Sequence, residues 1–368
     1  MSLLDKIKKN STIKESQILS KSKFFTEYDA IPTPIPALNI ALTANLDKGI
    51  ESGLTQWCGE SKRFKSTFCL LMAKTYLDKY PDSVLLFYDS EFGTPQSYFK
   101  KIGIDMDRVL HVPIPNIEIL KNDIVKQLEN IERGEKIFIV VDSIGNLASK
   151  KEVDDALADK SVQDMSRPKQ LKSLFRMVTP YLNIKNIPMH VVNHTYKTQE
   201  MYAKDIVSGG QGSYLSADNI YIIGRQQEKD GTDIVGWNFI INVEKSRLVK
   251  EKSKIPICIS YDEGINKYSG LVDIALELGF VAKPKQGFYS KVNVATGEVD
   301  EKLYRLKATN NKEFWDSILN SKAFKDAVYN RYAISSSTLL SEESESEVET
   351  EELDSYNDDS ENIGDDDV

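Results

Sequence analysis

Eight residues, Gly59-Glu60-Ser61-Lys62-Arg63-Phe64-Lys65-Ser66, come within one position of a phosphate-binding loop. The pattern is a glycine, four residues, then glycine, lysine and serine or threonine. Gly59, Lys65 and Ser66 keep their places, and Phe64 stands where the second glycine is expected. Such a loop works by aiming successive backbone N–H groups at phosphates from a helix N-terminus. Ser61, Lys62, Arg63 and Phe64 would line that cradle. Lys65 would reach the β- and γ-phosphates of ATP, and the Ser66 hydroxyl would hold Mg2+. Phe64 removes no donor, because it keeps its N–H. Its backbone must be one that a residue with a Cβ can adopt, or it is strained.

Acidic residues at the ends of apolar runs are the next candidates. Asp142 follows Ile137-Phe138-Ile139-Val140-Val141 and should emerge at the carboxyl end of a strand, where open α/β sheets bind ligands. A carboxylate there orders magnesium. Glu91 ends the run 83–91, where it could take a proton from a water; Asp89 shares its face and competes for that role. His194 ends the run 188–194 and could sense a γ-phosphate by hydrogen bonding, although a lone histidine is more often structural.

These groups need a scaffold, and the pattern supplies one. Between Gly53 and about Asp262, β-rich runs at 54–58, 83–91, 136–143, 188–195, 219–225 and 236–246 alternate at first with helical stretches, notably 64–80. Continuous apolar strands with helical crossovers predict a mainly parallel sheet covered on both faces. The last two runs, joined through Asp230-Gly231, predict an antiparallel hairpin. Residues 1 to about 20 read as a polar helix with Leu3, Leu4 and Ile7 on one face. Prolines within Ile31–Pro36 break any helix there, so an extended arm carrying Phe24 and Phe25 is expected. After Gly270 a helix over 271–281, a hairpin of 287–294 with 302–308, and helix over 314–332 predict a small α+β unit. The organisation expected is therefore an arm at 1–36, an α/β core at 37–269, a small domain at 270–335 and a disordered acidic tail at 336–368.

Two segments should leave the same end of the sheet. Residues 149–176 carry Lys150, Lys151, Lys160, Arg167, Lys169, Lys172 and Arg176. The stretch after His194 mixes Lys197 and Lys204 with Tyr196, Met201 and Tyr202, then runs into Gly209-Gly210-Gln211-Gly212. Basic groups with aromatic neighbours and mobile glycines suit single-stranded nucleic acid. The net charge of −9 conceals a division. Fourteen acidic residues lie between Glu342 and Asp367, and without them 47 basic residues face 42 acidic ones. A mildly basic body with an acidic tail fits a polyanionic partner. No apolar run approaches the about 20 residues of a membrane span, and the start has no apolar signal core. Cys58, Cys69 and Cys258 make no disulfide framework, which fits a cytoplasmic protein. With His111, His190 and His194 they lack metal-ligand spacing.

The stretches LFYDSEFG (86–93), 132–152, SLFRMVTPY (173–181), 186–201 and NVEKSRLVKEKSK (242–254) together resemble the RecA-type recombinases, above all those of T-even-like phages. The phage branch also has phenylalanine at the second loop glycine. The resemblance spans about Ser20 to Tyr332. It implies a RecA-like P-loop core and an ATP-driven helical filament of many copies on single-stranded DNA, which pairs that strand with homologous duplex DNA. It further implies a single-stranded-DNA-binding protein and a recombination mediator as partners. Lys65, Ser66 and Thr67 match the loop's lysine and hydroxyls, Glu91 the catalytic glutamate, Asp142 the magnesium-ordering aspartate and Tyr98 the aromatic that stacks on adenine. His194 takes the place of a switch glutamine. Lys245 and Arg247 match a basic pair that reaches the neighbouring subunit's ATP. Lys169 and Arg176, with the backbone of Gly209–Gln211, match DNA contacts, and the arm around Lys23–Pro36 would dock subunits. A ring helicase with the same core, or an accessory factor that binds nucleotide without hydrolysing it, are the competing readings. If the acidic tail occupies the basic DNA surface, deleting the residues after Leu340 shifts the salt-titration midpoint for single-stranded DNA upward; an unchanged or lower midpoint contradicts that role.

Overall fold

Central strands buried at every position, with alternate side chains serving opposite faces, build a sheet with two cores. In the computed structural model, residues 2–13, 16–22, 30–159, 166–199, 203–230, 232–262 and 264–334 are described. Phe24, Phe25, Lys160, Met201, Tyr202, Gly231 and the acidic tail lie outside them. The chain opens with α1 (Leu3–Asn10) and α2 (Pro36–Thr43), then β1 (Gly53–Cys58), α3 (Lys65–Lys79) and β2 (Val84–Asp89). Next come α4 (Gln96–Ile102), β3 (Val109–Pro113), α5 (Ile117–Asn130), β4 (Ile137–Asp142), α6 (Lys150–Leu157), α7 (Ser166–Lys185) and β5 (Pro188–Val192). A two-stranded ribbon, β6 (Thr195–Lys197) with β7 (Asp205–Val207), leads into α8 (Gly210–Ser216). Then follow β8 (Asn219–Asp230), β9 (Asp233–Lys245), β10 (Lys254–Ser260) and β11 (Gly264–Ile265).

The nine strands lie in the order β11-β10-β9-β8-β1-β5-β4-β2-β3. Strands β8, β1, β5, β4, β2 and β3 run parallel, while β9, β10 and β11 continue the sheet antiparallel. Alternate residues serve opposite faces. Phe138 and Val140 of β4 join Trp57, Phe68 and Met72 on one side. Ile139 and Val141 join Leu54, Ile124, Leu174 and Phe175 on the other. Helix α3 thus covers one face, and α5 with α7 covers the other. Register does the positioning: Asp89 sits beside Asp142, Val141 beside Val191, and Val192 beside Trp57. The carboxyl ends of β2, β4, β5 and β1 are therefore level, and the loops that follow them meet.

The C-terminal elements are α9 (Leu271–Glu277), a small antiparallel sheet of β12 (Val281–Lys285), β13 (Phe288–Lys291) and β14 (Tyr304–Arg305), then α10 (Lys312–Leu319) and α11 (Lys322–Tyr332). Leu271, Phe280, Trp315 and Phe324 belong to the same buried cluster as α2 and α3.

Several expected boundaries are corrected. The first helix stops at Asn10, where Ser11 turns to extended backbone, and its Leu3, Leu4 and Ile7 are exposed. Pro36 starts α2 instead of breaking it, because the first helical position needs no N–H. The helix expected over 271–281 ends at Glu277. Gly279 turns left-handed and Val281 opens β12. Strands β3 and β10 were not foreseen: β3 is a largely exposed edge, and β10 carries Pro256, a residue that argues against a strand although its burial alternates without a break.

One close approach ties α9 to the main sheet. Gly270 has φ +79°, and a Cβ on it would lie 1.9 Å from the Pro256 carbonyl oxygen. Gly270→Ala combines backbone strain with overlap, so it should destabilise by about 3 kcal/mol or more in urea unfolding. A loss under about 1 kcal/mol would contradict that packing.

Candidate nucleotide site

Leaving β1, the chain turns at Gly59 (φ 144°), where a Cβ would sit 3.0 Å from the Ile223 carbonyl oxygen. Lys62 (φ 60°) and Phe64 (φ 58°, ψ 18°) both take left-handed backbone. Phe64 thus adopts the conformation that a glycine adopts without penalty. That backbone costs about 1–2 kcal/mol for a residue with a Cβ. The ring offsets part of it by packing on Phe239 of β9, with ring centroids 4.7 Å apart. The turn leaves Lys65 as the first residue of α3.

Lys65 is buried, and its Nζ donates to the carbonyls of Gly59 (2.9 Å) and Glu60 (2.7 Å). Burial lowers its pKa, and Glu91 and Asp142 oppose that shift. The Ser66 hydroxyl bonds the Asp142 carboxylate. Asp142 is pushed up to about 6, first by burial and then by the negative charges of Glu91 and Asp89, with Ser66 and Lys65 pulling the other way. The Ser66 hydroxyl and the Asp142 carboxylate are oxygen groups suited to a divalent cation, and the Lys65 ammonium beside them is suited to the phosphates such a cation accompanies.

The two carboxylates of the run 83–91 separate cleanly. Asp89 is buried, and its Oδ1 accepts the N–H groups of Glu91 (3.1 Å) and Phe92 (2.7 Å), while Oδ2 meets His111 Nε2 at 3.1 Å. It shapes the turn. Glu91 projects instead toward the cavity. Its Oε1 accepts from Ser143 Oγ (2.5 Å), His194 Nε2 (3.0 Å) and, at longer range, Asn146 Nδ2 (3.5 Å). The His194 hydrogen bond is the largest cause holding the Glu91 carboxyl below its usual range; burial opposes it and Ser143 adds to it. Gly145 makes room for the imidazole, since a Cβ there would lie 2.0 Å from His194 Cδ2.

A cavity of about 710 Å³ is lined by Ser61 to Thr67, Glu91, Tyr98, Asp142 and His194. Tyr98, on α4, bonds Thr67 Oγ1 through its hydroxyl at 2.5 Å. The far wall was missed by sequence reasoning. Arg225 stacks on Trp237 (4.2 Å to the ring centroid) and donates to the Lys62 carbonyl, and Trp237 Nε1 donates to Tyr261 OH at 2.6 Å. The available signal was the i, i+2 pair Trp237 and Phe239 on one strand, which puts both rings on one face.

Lys245 and Arg247 lie elsewhere. Lys245 Nζ caps α8 through the carbonyls of Tyr214 (3.0 Å), Leu215 (3.1 Å) and Ala217 (2.7 Å), and Arg247 pairs with Asp218 at 2.5 Å. Neither lines this chain's own cavity. Lys169, Lys172 and Arg176 are exposed on one face of α7 at i, i+3, i+7 spacing. Lys197 is exposed on β6 and Lys204 just before β7. Gly209 and Gly210 take left-handed backbone at the start of α8, with Gln211 exposed. A buried amide pair joins this region to the phosphate loop's strand. Gln56 Nε2 donates to the Ser213 carbonyl (2.9 Å), and Asn193 Nδ2 bridges Gln56 Oε1 (3.2 Å) and the Ser208 carbonyl (2.9 Å).

This sheet order, with a phosphate-loop geometry after β1 and carboxylates at the level ends of β2 and β4, defines a P-loop protein with a RecA-like core. Residues 3–266 match the RecA N-terminal domain, and residues 268–328 match the C-terminal domain of the bacteriophage T4 recombination and repair protein. The chain belongs to the RecA family. It is 49% identical over 358 residues to the recombination and repair protein of Enterobacteria phage T4, covering 95% of this chain and 90% of that one. It is 28% identical over 260 residues to Protein RecA of Streptomyces coelicolor, covering 69% and 67% of the two chains. With Protein RecA of Chloroherpeton thalassium it shares 28% identity over 203 residues, 54% of this chain and 56% of the other.

The left-handed turn at position 64 has a direct stability signature. Both Phe64→Gly and Phe64→Ala lose the ring, but only glycine relieves the backbone. Phe64→Gly should be more stable than Phe64→Ala by about 1 kcal/mol in urea unfolding. Equal stability, or alanine ahead, would contradict the turn.

Proposed function

We propose that the chain is a DNA-dependent ATPase that forms a helical filament on single-stranded DNA and exchanges that strand with homologous duplex DNA in recombination, repair and recombination-dependent replication. One observation carries the link between ATP and DNA: the 3.0 Å hydrogen bond from His194, which opens the basic, glycine-rich segment, to Glu91 at the cavity. The phage T4 relative is a recombination and repair protein, which agrees with this reading.

In this reading the N–H groups of residues 61–67 cradle the triphosphate, and Lys65 leaves its loop carbonyls to meet the β- and γ-phosphates. Tyr98 supplies a face for the base. Ser66 and Asp142 would hold Mg2+, which when bound neutralises charge on the phosphates. Glu91 orients the attacking water and takes its proton. While His194 and Ser143 donate to it, Glu91 is a weak base. A strand bound at Lys169, Lys172, Arg176, Lys197, Lys204 and Gly209–Gln211 moves the segment after β5, draws His194 away and raises the basicity of Glu91. Lys245 and Arg247 act on the ATP of the next subunit, which makes hydrolysis depend on assembly. The division into a docking arm (1–36), core (37–269), small domain (270–335) and tail (336–368) belongs to the same reading. So do a single-stranded-DNA-binding protein and a mediator as partners, in the cytoplasm of a host cell.

Two substitutions separate binding from chemistry. Lys65→Ala should weaken ATP binding by at least about tenfold, whereas Glu91→Gln should bind ATP normally and lose about a hundredfold or more of DNA-stimulated turnover. Normal hydrolysis by Lys65→Ala, or wild-type turnover by Glu91→Gln, would contradict these roles.

A further inference from the structure

Arg167 is one of the basic residues that composition places at DNA, yet its guanidinium points into the protein. It is the second residue of α7. Nε donates to the Leu147 carbonyl at 2.9 Å, and Nη2 donates to the carbonyls of Ile144 (2.8 Å) and Gly145 (2.6 Å). Its neighbour Ser166 donates to Ser149 Oγ at 2.8 Å, so the two ends of the segment 149–166 are joined. Burial disfavours the guanidinium's charge, and Glu152 partly compensates. A planar fork can serve three diverging carbonyls from one side chain; a lysine ammonium on its single stem cannot hold that geometry.

The clamped carbonyls belong to the turn that carries two hydrogen-bond donors to Glu91. Ser143 and Asn146, on either side of Ile144 and Gly145, donate to Glu91 Oε1. Gly145 itself abuts the His194 ring. A displacement of the α7 N-terminus would therefore pull on the carbonyls that fix both donors to Glu91.

We propose that Arg167 is a positioning residue and not a phosphate contact: it ties the N-terminal end of α7, the helix that carries Lys169, Lys172 and Arg176, to the 143–147 turn that aligns Glu91. This rests on the reading of Glu91 as the base. Two coupled inputs then reach Glu91, one through His194 after β5 and one through Arg167 after β4.

The test uses full-length Arg167→Lys and Arg167→Gln with oligo(dT) as the single strand, each first checked by thermal melting. Both should lower DNA-stimulated kcat by about ten- to a hundredfold, as misplacement of a catalytic group does. The KM for ATP should stay within about twofold, because ground-state binding is untouched. Affinity for oligo(dT) and its salt slope should match the unchanged protein. A phosphate contact predicts the reverse and would overturn the proposal: Arg167→Lys keeps turnover, and Arg167→Gln flattens the salt slope by about 0.7. Should Arg167→Gln fail to fold, a cycle with Asn146→Ala decides. The kcat losses of Arg167→Lys and Asn146→Ala should fail to multiply in the double variant, because both act through Glu91; independent, multiplying losses overturn the proposal. Wild-type turnover by Glu91→Gln would remove the base reading alone, whereas a flattened salt slope in Arg167→Gln removes the Arg167 assignment and leaves that reading standing.

Discussion

One carboxylate oxygen, Oε1 of Glu91, receives hydrogen bonds from Ser143, His194 and Asn146. Glu91 and these partners come from three loops, after β2, β4 and β5. They meet only because the parallel register keeps the strand ends level, Asp89 beside Asp142 and Val141 beside Val191. A one-residue slip of any strand would turn its loop to the wrong face. The buried apolar sides of β4, held by α3 on one face and by α5 and α7 on the other, are what exclude such a slip. The site therefore depends on the two cores as much as on its own polar groups.

The same convergence sets the electrostatics. Lys65 and Asp142 are buried, while Glu91 lies exposed at the cavity wall; the two carboxylates favour the Lys65 charge, whereas Glu91 disfavours that of Asp142. Asp142 rises toward neutrality there while Glu91 falls, although both are carboxylates a few residues beyond strand interiors. Environment assigns them different work: the buried one faces the Ser66 hydroxyl, and the one at the cavity wall faces a histidine. A nucleotide bearing negative charge and a cation would enter a place already arranged for both signs.

Much of this was legible in the sequence. Long apolar runs located β1, β2, β4, β5, β8 and β9, and the loop pattern led to Lys65 and Ser66. The remainder depended on information that local sequence does not hold. Phe64 reads as a defect until Phe239, from a distant strand, is found beneath its ring. Asp89 and Glu91 are alike by position, and only the N–H groups that Asp89 accepts separate them. Basic residues were the least legible: Lys169 and Arg176 reach solvent, while Arg167 and Lys245 turn inward to backbone carbonyls. Composition cannot tell a cation that seeks phosphate from one that satisfies a peptide group. The edge strand β3 was invisible because a strand with little burial writes no apolar pattern.

The account's central claim is that a phosphate loop with phenylalanine at its second glycine position serves a working ATPase that answers to DNA. Steady-state ATP turnover by the unmodified full-length chain, measured with Mg2+ in the presence and absence of oligo(dT), tests it most directly. The account predicts slow turnover alone and an increase of about tenfold or more when the strand is added. Turnover that is absent in both conditions, or identical in both, would contradict it.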